Sequence, residues 1–294
     1  TVPVTSLGAA VADGHLYVFG GHLGSAHKYT AELQNNKLVR LNLAAPKAWE
    51  VVGETPRRTG TALVGYQNRL YRIGGWEATK GSTEEEWELH SRPDFARYDP
   101  KTNKWEALSP LPEGRSSHDA ALLGSQLYVM GGWELTGKGD GEWHSTAYVC
   151  NLADDQPQWK AIAKPPFVRR ALAVAAAQGK VYVLGGMDDG NDISTEVNIY
   201  DPAADSWSKG PALPGSGMQT FGPSAFGTEQ GLFATVSTGS LLRLSDDGQA
   251  WEEVTKLKQP RFFHRLVADG KRLLVVGGTS QKGKTTAVEA IEIK

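Results

Sequence analysis

The sequence predicts an all-β fold of six repeated units, each a four-stranded antiparallel sheet. Three observations carry that prediction. An apolar segment runs into a glycine pair at Leu16-Tyr17-Val18-Phe19-Gly20-Gly21, and the pattern returns at Leu70-Tyr71-Arg72-Ile73-Gly74-Gly75, Leu127-Tyr128-Val129-Met130-Gly131-Gly132, Val181-Tyr182-Val183-Leu184-Gly185-Gly186 and Leu274-Val275-Val276-Gly277-Gly278. The second glycines are 54, 57, 54 and 92 residues apart (75−21, 132−75, 186−132, 278−186), and a fixed period near fifty marks a repeat architecture. Because 92 is twice 46, a further unit lies in the last gap, at Gly231-Leu232-Phe233-Ala234-Thr235-Val236-Ser237, where the glycines are lost. Finally, a tryptophan follows in register at Trp49, Trp105, Trp159, Trp207 and Trp251, often behind a turn such as Asp99-Pro100-Lys101-Thr102-Asn103-Lys104.

Each unit reads as an inner small-residue strand A, the Tyr-bearing strand B, a strand C and the Trp-bearing strand D. Period-two alternation and β-branched or aromatic enrichment support strands, and helical periodicity is absent. Gly8-Ala9-Ala10 and Ala120-Ala121 suit strand A, where converging sheets leave no room for bulk. The glycines after strand B allow a bend or a close backbone approach. Unit five is the plainest: Leu232 to Ser237, a Thr238-Gly239 turn, Leu241 to Ser245, an Asp246-Asp247-Gly248 turn, then Trp251 to Thr255. After Gly278 only one strand fits, Ala287 to Ile293, so the last unit lacks its Trp strand. Thr1-Val2-Pro3-Val4 is expected to supply that missing outer strand and close the ring, removing exposed edges. Pro3 is tolerated there because an outermost strand has one unpaired side.

The Gly-Gly pairs and the Trp residues in register resemble the kelch repeat of the galactose oxidase/kelch-like propellers, over nearly the whole chain. The resemblance implies a six-bladed β-propeller of four-stranded antiparallel blades, one domain spanning residues 1–294. It also implies protein interaction as the commonest role.

Composition narrows the partners. The 294 residues are 40% hydrophobic, ample for a core, and a net charge of −2 gives no global attraction to nucleic acid or anionic lipid. Basic stripes interleaved with aromatics are absent, so no nucleic-acid partner is expected. No apolar run approaches the roughly 18 residues of a membrane helix. The single Cys150 excludes an intrachain disulfide framework. The missing initiator Met reads as a processed chain, compatible with a secreted or periplasmic protein, and a monomer is expected.

Strand polarity gathers the chemistry on one face. Antiparallel pairing puts the start of A and the end of B at the same end of a blade, so D–A connections and B–C loops share the rim of the channel mouth. His22, His27, His90 and His144 fall in B–C loops and His118 and His264 at the start of strand A; only His15 is opposite. His118 and His264 both stand ten residues before the strand-B aromatic slot (128−10, 274−10), in diametrically opposed units. Either they face each other across the mouth or they merely bond neighbouring loops. Arg58, Arg115, Arg169 and Arg261 stand thirteen before that slot, with Arg57, Arg170 and Arg265 nearby. Such recurrence suits bonding to loop carbonyls of the next blade, or a cationic rim for a carboxylate or phosphate.

The B–C loops of units two and three are relatives. Gly75-Trp76-Glu77 leads through Glu84-Glu85-Glu86-Trp87 to His90-Ser91, and Gly132-Trp133-Glu134 through Gly141-Glu142-Trp143 to His144-Ser145. Either the indoles pack the loops together, or Trp76, Glu77, Trp133, Glu134, His90 and His144 form a sugar site, ring face against indole. Acid–base turnover of an acidic sugar would use Tyr29, His118 and His264 as proton shuttles and Arg169 or Arg170 to hold the carboxylate. A transition metal would draw on His22 and His27, although no ligand-spacing motif is present. Ser117-His118-Asp119 cannot be a triad, since neighbours on a strand point to opposite faces. Asp188-Asp189-Gly190-Asn191-Asp192 departs from an EF-hand loop and reads as a solvated turn. Unit five, with Thr220 in the Arg slot and a very short B–C loop, leaves the mouth open on one side, where Phe262 and Phe263 line the entrance.

Two readings follow. One is a His/Arg/Glu/Trp pocket on the B–C face for a small polar ligand, a sugar or acidic sugar, with acid–base catalysis. The other is a non-enzymatic propeller that docks an acidic peptide at the Arg-lined mouth.

Overall fold

A computed structural model describes residues 3–79, 87–138 and 141–293. Among them the repeat units form five four-stranded antiparallel sheets and one three-stranded sheet, in each of which strands adjacent in the unit pair, and smaller two- and three-stranded sheets lie in the loops. In unit one Gly8–Ala12, His15–Phe19, Lys37–Asn42 and Trp49–Glu54 are strands A to D. Three of the A–B hairpin turns are two-residue turns with both φ positive, at Asp13-Gly14, Gln67-Asn68 and Gln178-Gly179, the twist that matches flanking strands. The register Gly8↔Phe19 through Ala12↔His15 places the start of A beside the end of B, as strand polarity requires.

The six A strands, Gly8–Ala12, Ala62–Tyr66, Asp119–Leu123, Ala173–Ala177, Ser224–Thr228 and Arg265–Asp269, pack each against the next, and the last against the first. Their small residues have a steric cause. A Cβ on Gly65 would sit 2.2 Å from the Val11 carbonyl oxygen, and one on Gly227 1.7 Å from that of Ala176. Between the strands runs a channel of about 150 Å³ lined mainly by Ala, Val and Leu, with Asp119 and Arg265 the charged pair. Apolar faces of adjacent sheets pack into clusters, for example Tyr71, Ile73 and Phe95 of unit two with Leu127 and Val129 of unit three.

The glycine pair is where successive units interlock. Gly74 has φ +56°, and an added Cβ would lie 2.3 Å from the Arg115 carbonyl oxygen and 2.8 Å from the His118 ring. Only glycine meets both demands. Opposite each pair stands one slot residue of the following unit: Leu7, Thr61, His118, Leu172 and Pro223 each lie within contact of such a glycine. The residue before that slot is left-handed in every unit: Ser6, Gly60, Ser117, Ala171, Gly222 and Phe263. Their peptides form successive links around the mouth: Gly60 N–H to Ser6 O, Ser117 to Gly60, Ala171 to Ser117, Phe263 to Gly222 and Ser6 to Phe263. Gly222 and Ala171 are not joined in this way.

Outer strands carry the tryptophans. The indole N–H groups of Trp159, Trp207 and Trp251 donate to carbonyls of the preceding unit at Ser109, Ala163 and Pro211. The sixth sheet, Arg265–Asp269, Arg272–Val276 and Val288–Glu292, holds three strands among the described residues. Thr1 and Val2 of the expected closing strand, like Glu84, Glu85 and Glu86 of the acidic loop, lie outside the described residues. Pro3 and Val4 make no ladder strand; the Val4 carbonyl instead accepts the Gly278 N–H at 3.0 Å.

Candidate functional site

The B–C loops and D–A connections share one rim and stitch to each other there. Trp76–Ala78 and Leu89–Ser91 of unit two join Thr136–Gly137 of unit three in a small sheet, and Trp133–Glu134 pairs with Glu142–Trp143. Gln34 of unit one, buried, donates to Thr59 Oγ1 and the Trp76 carbonyl and accepts from Ala78 N–H. No sequence signal pointed to this bridge. The rim is therefore a woven surface over units one to three, with indoles in its fabric.

The histidines are placed differently from a catalytic pair across a mouth. His118 and His264 are each 2% exposed and pack between sheets. His264 Nε2 meets Thr235 Oγ1 at 2.5 Å, while neither ring nitrogen of His118 has a partner. Burial, with Arg261 nearby, pushes the His264 imidazole down to about 3 and, with Arg115, holds His118 well below the ordinary range. Both rings are thus neutral packing groups in the slot that leucine fills in units one and four. His144 is buried too, its Nε2 on the Gly114 carbonyl at 2.9 Å and its Nδ1 3.4 Å from Glu113 Oε1; burial pushes it to about 4. Glu113, missed in the sequence, is a hub that also takes Arg115, Thr146 and Tyr148. His90 lies 3.5 Å from Glu88. His22 Nε2 meets the Lys28 carbonyl at 2.7 Å, and His27 is exposed. Among the described residues no three His, Cys, Asp or Glu converge to hold a metal, and His22 has its ring nitrogen engaged.

The arginine slot resolves into structure, within the same unit rather than toward the next. Arg115 Nη1 donates to the Gly131 and Thr146 carbonyls, Arg169 Nη1 to Gly185 and Glu196, and Arg261 Nη1 to Gly277 and Ala287. The fork closes the gap that the glycine bend opens between strands B and C. Arg58 departs from this: its guanidinium pairs with Asp94 and Glu77, and Arg72 and Arg92 join the same two carboxylates. Burial raises and these guanidinium groups lower the Asp94 carboxyl, which ends below its usual range. Arg265 spans the channel top, donating to Leu7 O and Thr61 O and pairing with Asp119 at 2.8 Å. Glu134 accepts the Gly114 N–H.

Arg170 is different. Its guanidinium carbon stands 4.2 Å over the Trp133 ring and 5.2 Å from that of Trp143, and its nearest polar contact is the Met187 sulfur at 3.3 Å. Its Nε is buried without a partner, and among the described residues no carboxylate pairs with it. Burial lowers its pKa, with the Tyr29 phenol from unit one in electrostatic reach. Tyr29 packs on Trp76 and Trp87, both at 5.3 Å. Trp76 itself is 6% exposed, so its faces belong to this packing. The result is one uncompensated guanidinium in an aromatic frame. The short Ser237-Thr238 turn of unit five leaves an open groove of about 880 Å³ that reaches Phe262.

The comparisons match this architecture. The KLHDC2/KLHL20/DRC7 Kelch-repeats domain model matches residues 1–132 and the Kelch motif model residues 169–214. Kelch-like protein 35 of Mus musculus is 27% identical over 199 residues, covering 68% of this chain and 29% of that protein. Alpha-scruin of Limulus polyphemus is 22% identical over 212 residues, 67% of this chain and 23% of its own. The chain thus spans about a quarter to a third of the length of these relatives. The solved structure of YjhT superposes with a TM-score of 0.77 at 19% identity, covering 100% of this chain and 96% of that one.

Proposed function

This chain is a kelch-repeat β-propeller protein, and we propose that it is a single closed six-bladed ring whose B–C rim docks an acidic segment of a partner protein. The side-by-side inner strands and the Ser6–Phe263 link support the closed ring. The observation that carries the docking is Arg170. A guanidinium without a carboxylate partner, flanked by indole faces, gives a planar two-pronged cradle for a ligand carboxylate. Arg58, Arg115, Arg169, Arg261 and Arg265 already hold carbonyls or carboxylates of the chain itself, and Arg57 is exposed outside the aromatic frame, so a carboxylate from outside is directed to Arg170.

Selection of a displayed random dodecapeptide library on the protein tests it. Expected are Asp- and Glu-rich sequences whose affinity falls at least tenfold for Arg170→Ala, with the unfolding midpoint nearly unchanged. A pool without acidic bias, or acidic binders indifferent to Arg170→Ala, overturns the reading.

One observation favours a second reading. The Tyr29 hydroxyl lies in electrostatic reach of the same guanidinium, beside indole faces, an arrangement that also suits a carboxylated sugar ring. Quenching of tryptophan fluorescence by a hexuronate but not by its neutral hexose, lost in Arg170→Ala, would favour that ligand. The buried His118 and His264 have no part in it.

A further inference from the structure

From the open groove at units five and six we infer a second contact for the acidic segment, a lateral exit track over the low side of the rim. This inference rests on the docking reading above. The groove is walled by Ser237 and Thr238 of the unit-five turn, by Lys258 and Gln259, and by Gln281 and Lys282 of the sixth unit's loop. Its chemistry is one-sided. Lys258 and Lys282 are exposed cations, and among the described residues no Asp or Glu lines it. The carboxylate nearest in sequence contact, Glu289, is taken by the Lys258 backbone N–H and by Arg261. Apolar surface lies within the same groove: Met218 is 58% exposed, and Phe262 is half-buried against Phe221 and Phe263.

The position explains the occupant. Units one to three raise aromatic loops at the rim, whereas unit five turns back within Val236–Gly239. An extended chain anchored by one carboxylate at Arg170 therefore has its low way out over this turn. The charge complement is an acidic peptide with an apolar side chain set between acids, the apolar group on Met218 and Phe262 and the acids toward Lys258 and Lys282.

The experiment removes the mouth anchor first. A random dodecapeptide library is selected on the Arg170→Ala protein, and binders are measured by fluorescence polarisation on it and on the added Lys258→Glu/Lys282→Glu variant. Expected is a pool with acids flanking an apolar residue, bound at least tenfold more weakly after charge reversal and more weakly at higher salt. A pool without that pattern, or one unaffected by charge reversal, overturns the track. If wild-type binders depend on Arg170 but not on the two lysines, the mouth stands and the track falls. If they depend on the lysines but not on Arg170, the track stands and the mouth reading falls.

Discussion

At the scale of single residues, identical side chains in equivalent places do different work according to what already satisfies them. Arg169 and Arg170 are neighbours, yet one bonds three carbonyl-side acceptors of its own unit and the other has an indole and a thioether. Arg169→Lys should therefore cost about 2–4 kcal/mol in urea unfolding, since an ammonium cannot reproduce the fork and leaves buried carbonyls unmet. The histidines make a sharper case. His118 stands in the slot occupied by Leu7 and Leu172, with neither ring nitrogen bonded. His118→Leu should hold stability at pH 7 within about 1 kcal/mol of the parent or above it, because an unsatisfied buried polar group is replaced by an apolar one. The pH dependence follows from sign. An imidazole whose folded pKa lies below its unfolded value takes up a proton on unfolding, so stability is full above about pH 6.5 and declines as pH falls toward the folded values. With His144 at about 4, His264 at about 3 and His118 depressed as well, the decline should reach about 1.4 kcal/mol per pH unit for each ring below pH 6. Denaturant midpoints between pH 7 and 4 should lose one such increment of slope in His118→Leu. A slope unchanged by that substitution would show that His118 is not buried and neutral. The sequence showed that two histidines share a register; it could not show that the register points between sheets, because the slot's packing partner is a glycine in another unit.

At the scale of the element, the repeat was legible because glycine leaves an unambiguous mark. A Cβ on Gly74 would come 2.3 Å from a backbone oxygen, whereas one on Gly185 would come no nearer than 3.2 Å to a proline ring. Both residues are left-handed, at φ +56° and +59°. Gly185→Ala should thus cost mainly the left-handed term, about 1–2 kcal/mol. Gly74→Ala adds a backbone collision and should cost about 3 kcal/mol or more, since neither the Arg115 peptide nor the His118 ring can yield cheaply. Comparing the two variants by thermal unfolding checks this, and equal losses would mean that the units do not interlock at the first glycine. Strand boundaries came out within two residues even where the glycine pair is lost, because turn residues and alternation bound the strands: unit five, read as Leu232 to Ser237, Leu241 to Ser245 and Trp251 to Thr255, is Gly231–Thr235, Ser240–Leu244 and Trp251–Lys256. The loops were less legible. Sequence kinship between the Trp-Glu and His-Ser stretches of units two and three suggested a shared pocket, but the kinship comes from a shared rim sheet, with Trp133 on Trp143 and Tyr29 on Trp76. Pairing between loops far apart in the chain is set by how the units pack side by side, which local pattern does not encode.

At the scale of the whole molecule, one ion pair adds to the backbone links around the mouth and joins units that are not neighbours in the chain. Arg265 of unit six reaches Leu7 O of unit one, Thr61 O of unit two and Asp119 of unit three, and Asp119 Oδ2 accepts the Val174 N–H of unit four. The pair is nearly enclosed, with side chains 16% and 10% exposed, so removing the cation alone leaves a buried carboxylate and two backbone carbonyls without their donors. Arg265→Met should therefore destabilise the fold by about 3–5 kcal/mol. Asp119→Asn in that background removes the stranded charge while an amide oxygen still receives Val174 N–H. The double variant should recover about half of the loss, a coupling that a double-mutant cycle reads directly. If both single variants cost less than about 1 kcal/mol, the pair is solvated and the axis is held by packing of the inner strands and the backbone links between units. The same cycle separates architecture from recognition. Peptide affinity at Arg170 should survive Asp119→Asn, because the aromatic frame around that guanidinium is built by units one to three and does not pass through the axial pair.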